Sequence, residues 1–132
     1  MFDWADYLAL AREMVNTGEP SGAPAESRLR CAVSRAYYAA LGRAAAYLTY
    51  EVGEVLPPET FHETVIRSFT DSEQPGWEAV GAKLDRLRDY RKGADYESEI
   101  KNWSAKAEES LKLSSKAISS LENLFGGPPQ FH

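Results

Sequence analysis

The stretch Leu87-Arg88-Asp89-Tyr90-Arg91-Lys92-Gly93-Ala94-Asp95-Tyr96 concentrates the residues of this chain best suited to chemistry. A guanidinium grips phosphate or carboxylate with paired donors. Asp95 follows Arg91 by four residues, the spacing of one helical turn, so it is a ready local partner. Arg91 is also the next member of an apolar series, Trp77, Val80, Leu84 and Leu87, repeating at three- and four-residue intervals. On such a seam its charge has two outlets. It forms a structural ion pair with Asp95 or another carboxylate, or the seam opens into a binding cleft. A nucleotide- or RNA-binding cleft would gather Arg35, Arg88, Arg91, Asp95 and Tyr96; if catalysis occurs there, Arg91 and Tyr96 are the candidates.

Other catalytic signatures are missing. There is no phosphate loop, Gly-rich fingerprint, metal-binding His-Glu helix or serine elbow. The two histidines, His62 and His132, stand far apart in sequence, and a lone histidine at a helix start reads as a surface or half-buried residue. Tyr7, Tyr37, Tyr38, Tyr47 and Tyr50 could stack bases, but tyrosines at helical spacing more commonly pack their rings in a core. No Cys/His cluster has metal-site spacing, so neither a metal nor another cofactor is implied.

The elements that must position these residues are helical. Asp3 reads as the N-cap of a first helix ending near Asn16, with Phe2 and Tyr7 as a hydrophobic staple and Trp4, Leu8, Ala11 and Val15 facing inward. Gly18 to Pro24 breaks it. A long second helix is expected from Ala25 to about Val52, with Val33, Tyr37, Ala40, Ala44 and Leu48 on one face. Its small-residue run, Ala39 to Ala46, invites close approach by another helix. Thr60-Phe61-His62-Glu63 has the pattern of a capping box opening a short third helix, with Phe61, Val65, Ile66 and Phe69 inward. A fourth helix runs from Trp77 to about Gly93, and a fifth from about Ser98 to Phe125, stopped by Gly126-Gly127-Pro128-Pro129. No segment alternates with a strand's period. The expected architecture is an all-α, up-and-down bundle of about five helices in a single domain, residues 1–125, with residues 126–132 as a flexible tail.

Composition bounds the function. The 132 residues can bury a core without disulfides, and 43% hydrophobic with 27% charged content is ordinary for a globular protein. One cysteine, Cys31, suits a reducing compartment. Met1 to Val15 lacks the pattern of a signal peptide, and no apolar run approaches a membrane span, so a cytoplasmic protein is expected. The net charge of −5 argues against a wholly nucleic-acid-coating surface. A local patch remains open if Arg28, Arg30, Arg35 and Arg43 pack beside Lys83, Arg86, Arg88, Arg91 and Lys92.

Ser34-Arg35-Ala36-Tyr37-Tyr38-Ala39-Ala40 in the second helix, followed by Arg91-Lys92-Gly93-Ala94-Asp95-Tyr96 in the fourth, resembles the HEPN domain family (higher eukaryotes and prokaryotes nucleotide-binding). The likeness extends over nearly the whole chain. It implies a helical bundle that forms homodimers, with a cleft between protomers that in active members cleaves RNA without metal. It also implies a place in a bacterial toxin-antitoxin or defence system, with a nucleotidyltransferase-type protein as a candidate partner. The family's signature is an arginine followed, after four to six residues, by a histidine. Arg91 matches the arginine, but the histidine positions hold Tyr96 and Ser98, and no other arginine here has the required histidine. A tyrosine with pKa of about 10 is a poor general base. The resemblance therefore suggests a non-catalytic or weakly catalytic nucleotide- or RNA-binding component. Its rivals are a ribonuclease in which Tyr96, or His62 brought in by the fold, substitutes, and a protein-interaction adaptor.

Overall fold

In the computed structural model, residues 2–16, 23–97 and 102–130 are described, and they form an all-α bundle. Its five helices are α1 (Asp6–Asn16), α2 (Ala23–Tyr47), α3 (Phe61–Thr70), α4 (Trp77–Tyr96) and α5 (Trp103–Phe125). The expected start at Ser98, most of the Gly18 to Pro24 breaker and His132 lie outside the described residues. No described helix is long and apolar enough to cross a membrane.

α2 is the axis, packing against all four other helices. It starts two residues earlier than its composition suggests, with Pro24 in the first turn, where a missing N–H breaks no helical bond. It continues through a π-helical turn, Leu48–Val52, which Gly53 closes in the left-handed region at φ 80°. The expected end near Val52 thus coincides with the end of that turn.

The small-residue run of α2 is consumed within the chain. Every residue from Ala39 to Ala46 is buried, and Ala39 packs with Leu8 of α1 and Ile118 of α5. Although Leu41, Gly42, Ala45 and Ala46 also line an open cavity, close approach therefore serves the chain's own helices. Gly81 does the same between α3 and α4, where a methyl group would sit 2.5 Å from the Thr70 backbone nitrogen.

An aromatic ladder ties the bundle at the end opposite the N-terminus of α2. Phe69 stacks on Trp77 at 4.8 Å, Trp77 meets Phe125 at 5.4 Å, and Phe125 stacks on Tyr47 at 4.4 Å. The Tyr47 hydroxyl donates to the Gly127 carbonyl, so the start of the expected tail is tied to α2.

Two local expectations need correction. Asp3 does accept a hydrogen bond from the Ala5 N–H at 3.0 Å, and Phe2 meets Tyr7 at 5.3 Å, but a single turn intervenes and the helix proper begins at Asp6. The capping box at Thr60 does not form: its hydroxyl bonds that of Thr64 at 3.1 Å, while Glu63 pairs with Arg67 one turn on. A preceding 3-10 turn, Pro58–Thr60, leads the chain into α3 without a side-chain cap.

Candidate anion site

Three helices converge on one cluster. α2 brings Tyr37 and Tyr38, α3 brings His62, and α4 brings Arg88, Arg91 and Asp95. The periodicities explain the meeting: Tyr37 lies on the inward face of α2, Arg91 extends the buried seam of α4, and those helices pack together.

Tyr37 is fully buried, and its hydroxyl lies 2.6 Å from Nδ1 of His62. Their rings stack at 5.7 Å, while Tyr38 approaches the imidazole edge-on at 5.8 Å. The Arg91 guanidinium lies over both tyrosines, 5.3 Å from the Tyr37 ring centre and 5.9 Å from that of Tyr38. Such placement draws the cation toward the negative ring faces. Arg91 also donates to Asp95 at 3.3 Å, and only 13% of its side chain is exposed. Nε of Arg91 and Nε of Arg88 are both buried without a hydrogen-bond partner.

The electrostatics follow from this packing. Burial raises the Tyr37 pKa to about 12, against the opposing pull of Arg91 and Arg88. Burial also lowers that of His62, and the same two arginines lower it further. Against the opposing effect of burial, the Asp95 hydrogen bond and the neighbouring tyrosines raise the Arg91 pKa further above its already high value. Tyr37 therefore keeps its proton and His62 stays neutral near pH 7. The proton of a fully buried phenol needs an acceptor, and Nδ1 of His62 supplies it. With Tyr37 donating, the remaining N–H of the imidazole falls on Nε2.

Two arginines and an imidazole N–H gathered beside one hydrogen-bonded carboxylate suit an oxyanion such as phosphate. The cluster is poor in carboxylates, with Asp95 the one paired to it by hydrogen bond. Among the described residues, no group of His, Cys, Asp and Glu is placed to hold a metal ion.

The structure divides the residues expected at the site. Arg88, Arg91 and Asp95 belong to it. Arg35 does not join the α4 arginines; its guanidinium covers the Tyr7 ring of α1 at 5.2 Å. Tyr96 is 78% exposed at the end of α4 and lies outside the cluster. The broader basic patch is likewise dispersed. Arg30 donates to the Ala94 carbonyl and lies over Trp103, and Arg43 pairs with Asp3 and Glu122.

Tyr37, Tyr38 and His62 complete the site. The tyrosines had a signal, because the inward face of α2 must meet the seam of α4. His62 had none in its neighbourhood: it is half-buried, as a lone histidine at a helix start would be, but its partner comes from a different helix. No protein-family model matches the chain, and neither the curated proteins nor the solved structures yield a match.

Proposed function

We propose that the chain is a HEPN-like binding component that holds the phosphate of a nucleotide or of RNA at Arg88, Arg91 and His62. The observation that carries this reading is the convergence of Arg88 and Arg91 on two tyrosines and His62, with Asp95 as the one carboxylate hydrogen-bonded there. An arginine that only clasps elements together would meet carboxylates on other elements, as Arg43 meets Asp3 and Glu122. The resemblance supplies the rest of the reading: a homodimer, a nucleotidyltransferase-type partner, and a role in toxin-antitoxin or defence systems. The test is binding of single-stranded RNA and mononucleotides by calorimetry at moderate salt, with Arg88→Ala and Arg91→Ala each weakening affinity by about tenfold. Unchanged affinity in both variants would exclude the site. Sedimentation separately tests the homodimer.

A metal-independent ribonuclease is the second reading, and the approach of His62 to the arginine cluster favours it. In RNA cleavage a general base removes the 2′-hydroxyl proton while cations stabilise the charged phosphorus centre. His62 could serve as that base only with Nε2 unprotonated, which would leave the buried Tyr37 proton without Nδ1 as its acceptor. Binding without cleavage fits the hydrogen bonds better. Purified protein incubated with structured and single-stranded RNA in chelator should give no appreciable cutting; cutting abolished by both His62→Gln and Arg91→Ala would establish the ribonuclease. The adaptor reading has less support, because among the described residues the exposed large apolar ones, Phe2, Leu10, Val52, Val55 and Tyr96, come from separate segments.

A further inference from the structure

Next to the arginine cluster lies a cavity of about 420 Å³, within the size range of small-molecule sites. Its wall is mainly aromatic and apolar. Phe2 and Trp4 close one side, Tyr38 and Tyr50 come from the α2 segment, and Phe61 and His62 from the start of α3. Gly42 forms part of the floor because the Trp4 indole occupies the space a side chain there would need. The Trp4 wall is braced: Phe2 and Tyr7 meet it edge-on at 5.1 and 5.5 Å, and the intervening Asp3 is held by Arg43 at 3.0 Å.

Tyr38 and His62 belong both to this wall and to the arginine cluster. Arg91 lies over the Tyr38 ring without itself lining the cavity, so the cation stands at the end of the wall where Tyr38 and His62 meet the arginine cluster, with aromatic surface along the other. A wholly apolar occupant would leave those arginine donors unused, and a bare phosphate would leave the cavity unfilled. A flat heteroaromatic ring joined to a phosphate uses both, because a ring of either purine or pyrimidine type can stack on aromatic side chains while its edge reaches hydroxyls or imidazole.

We infer that this cavity is a nucleobase subsite, receiving the base of the nucleotide whose phosphate Arg88 and Arg91 hold. The inference rests on the phosphate-binding reading and adds where the base goes. The shared chemistry is base plus phosphate, whether the nucleotide is free or part of a single strand. Trp4 and Phe2 make the N-terminal segment the outer wall of the subsite, and the Asp3–Arg43 pair keeps that wall in place.

The test compares inorganic phosphate, ribose 5-phosphate, the four common nucleoside monophosphates and a short single-stranded oligoribonucleotide on the full chain, read by calorimetry and tryptophan fluorescence. At least one monophosphate should bind about tenfold or more tighter than ribose 5-phosphate, with quenching that disappears in Trp4→Phe. Trp4→Ala should erase that gain and leave ribose 5-phosphate binding unchanged. Gly42→Ala, which displaces the indole, should do the same, with its melting temperature as the check on folding. An oligonucleotide that binds more tightly than every monophosphate identifies a strand as the source; equal or weaker binding identifies the free nucleotide. Equal affinity for ribose 5-phosphate and all four monophosphates would overturn the subsite while leaving the phosphate site intact. A base-dependent gain that survives both Trp4→Ala and Gly42→Ala would also overturn it. If neither phosphate nor any nucleotide binds, the phosphate-binding reading falls and the subsite with it.

Discussion

Arg43 and Arg91 are almost equally covered, with 7% and 13% of their side chains exposed, yet their surroundings differ in kind. Arg43 meets two carboxylates, Glu122 at 2.7 Å and Asp3 at 3.0 Å, and so clasps the N-terminal segment, α2 and α5 together. Arg91 has one carboxylate at 3.3 Å, on its own helix, and otherwise faces two tyrosine rings with its Nε unmatched. Burial alone does not distinguish a structural cation from a functional one. The informative difference is whether the carboxylate partners join separate elements or only successive turns of one helix.

The largest effect should come from breaking the clasp. Arg43→Ala removes two charge-assisted hydrogen bonds and a nearly buried side chain, but its carboxylate partners are half exposed and can rehydrate. The expected loss is about 3 kcal/mol in denaturant unfolding. A change below about 1 kcal/mol would show that the clasp is no stronger than an ordinary surface pair, and the contrast with Arg91 would collapse.

A smaller effect should appear in alkali at the other region. The Tyr37 pKa is about 12 in the folded protein against 10.0 ordinarily, so the unfolded chain releases this proton first as pH rises. Stability contributed by the protonated phenol is present below pH 10 and is lost between about pH 10 and 12, on the order of 2 kcal/mol. Tyr47 behaves alike, with its pKa also raised to about 12 by burial. Tyr37→Phe should therefore show a shallower alkaline loss than the native chain, with the Tyr47 part remaining. Identical curves would mean that Tyr37 is not sealed as its packing indicates.

The smallest effect concerns acid. Burial, then Arg91 and Arg88, lower the His62 pKa below 6.5, so the unfolded state takes up this proton at higher pH than the folded state. Stability contributed by neutral His62 is complete above pH 6.5 and declines as pH falls through the lowered folded value. His62→Gln should flatten the curve just below pH 6.5, before the carboxylates titrate. A native curve that rises on acidification through that window would contradict the site's cationic surroundings.

Much of this arrangement could be read from periodicity. The seam Trp77, Val80, Leu84 and Leu87 is buried throughout, Arg91 follows it as the spacing requires, and five helices form. What sequence patterns missed was decided by competition among packed elements. The capping-box letters at Thr60 were outcompeted by a hydroxyl pair and a Glu63–Arg67 ion pair. The alanines of α2 could signal close approach but could not specify whether the neighbour was α1, α5 or a second copy. Arg35 shares α2 with Tyr37 and Tyr38, yet Tyr7 of α1 claims its guanidinium. His62 was hardest, since its role depends on where α3 lies relative to α2 and α4, a tertiary relation that local spacing does not encode.

The most direct test of the central claim is Arg91→Ala, measured for both unfolding free energy and phosphate-ligand affinity. If Arg91 is held in reserve for an anion, stability should change by less than about 1 kcal/mol, because its Asp95 partner is partly solvated and one turn away, while affinity for nucleotide or RNA falls by about tenfold. A loss of about 3 kcal/mol with unchanged affinity would make Arg91 a second structural clasp, like Arg43, and would contradict the account.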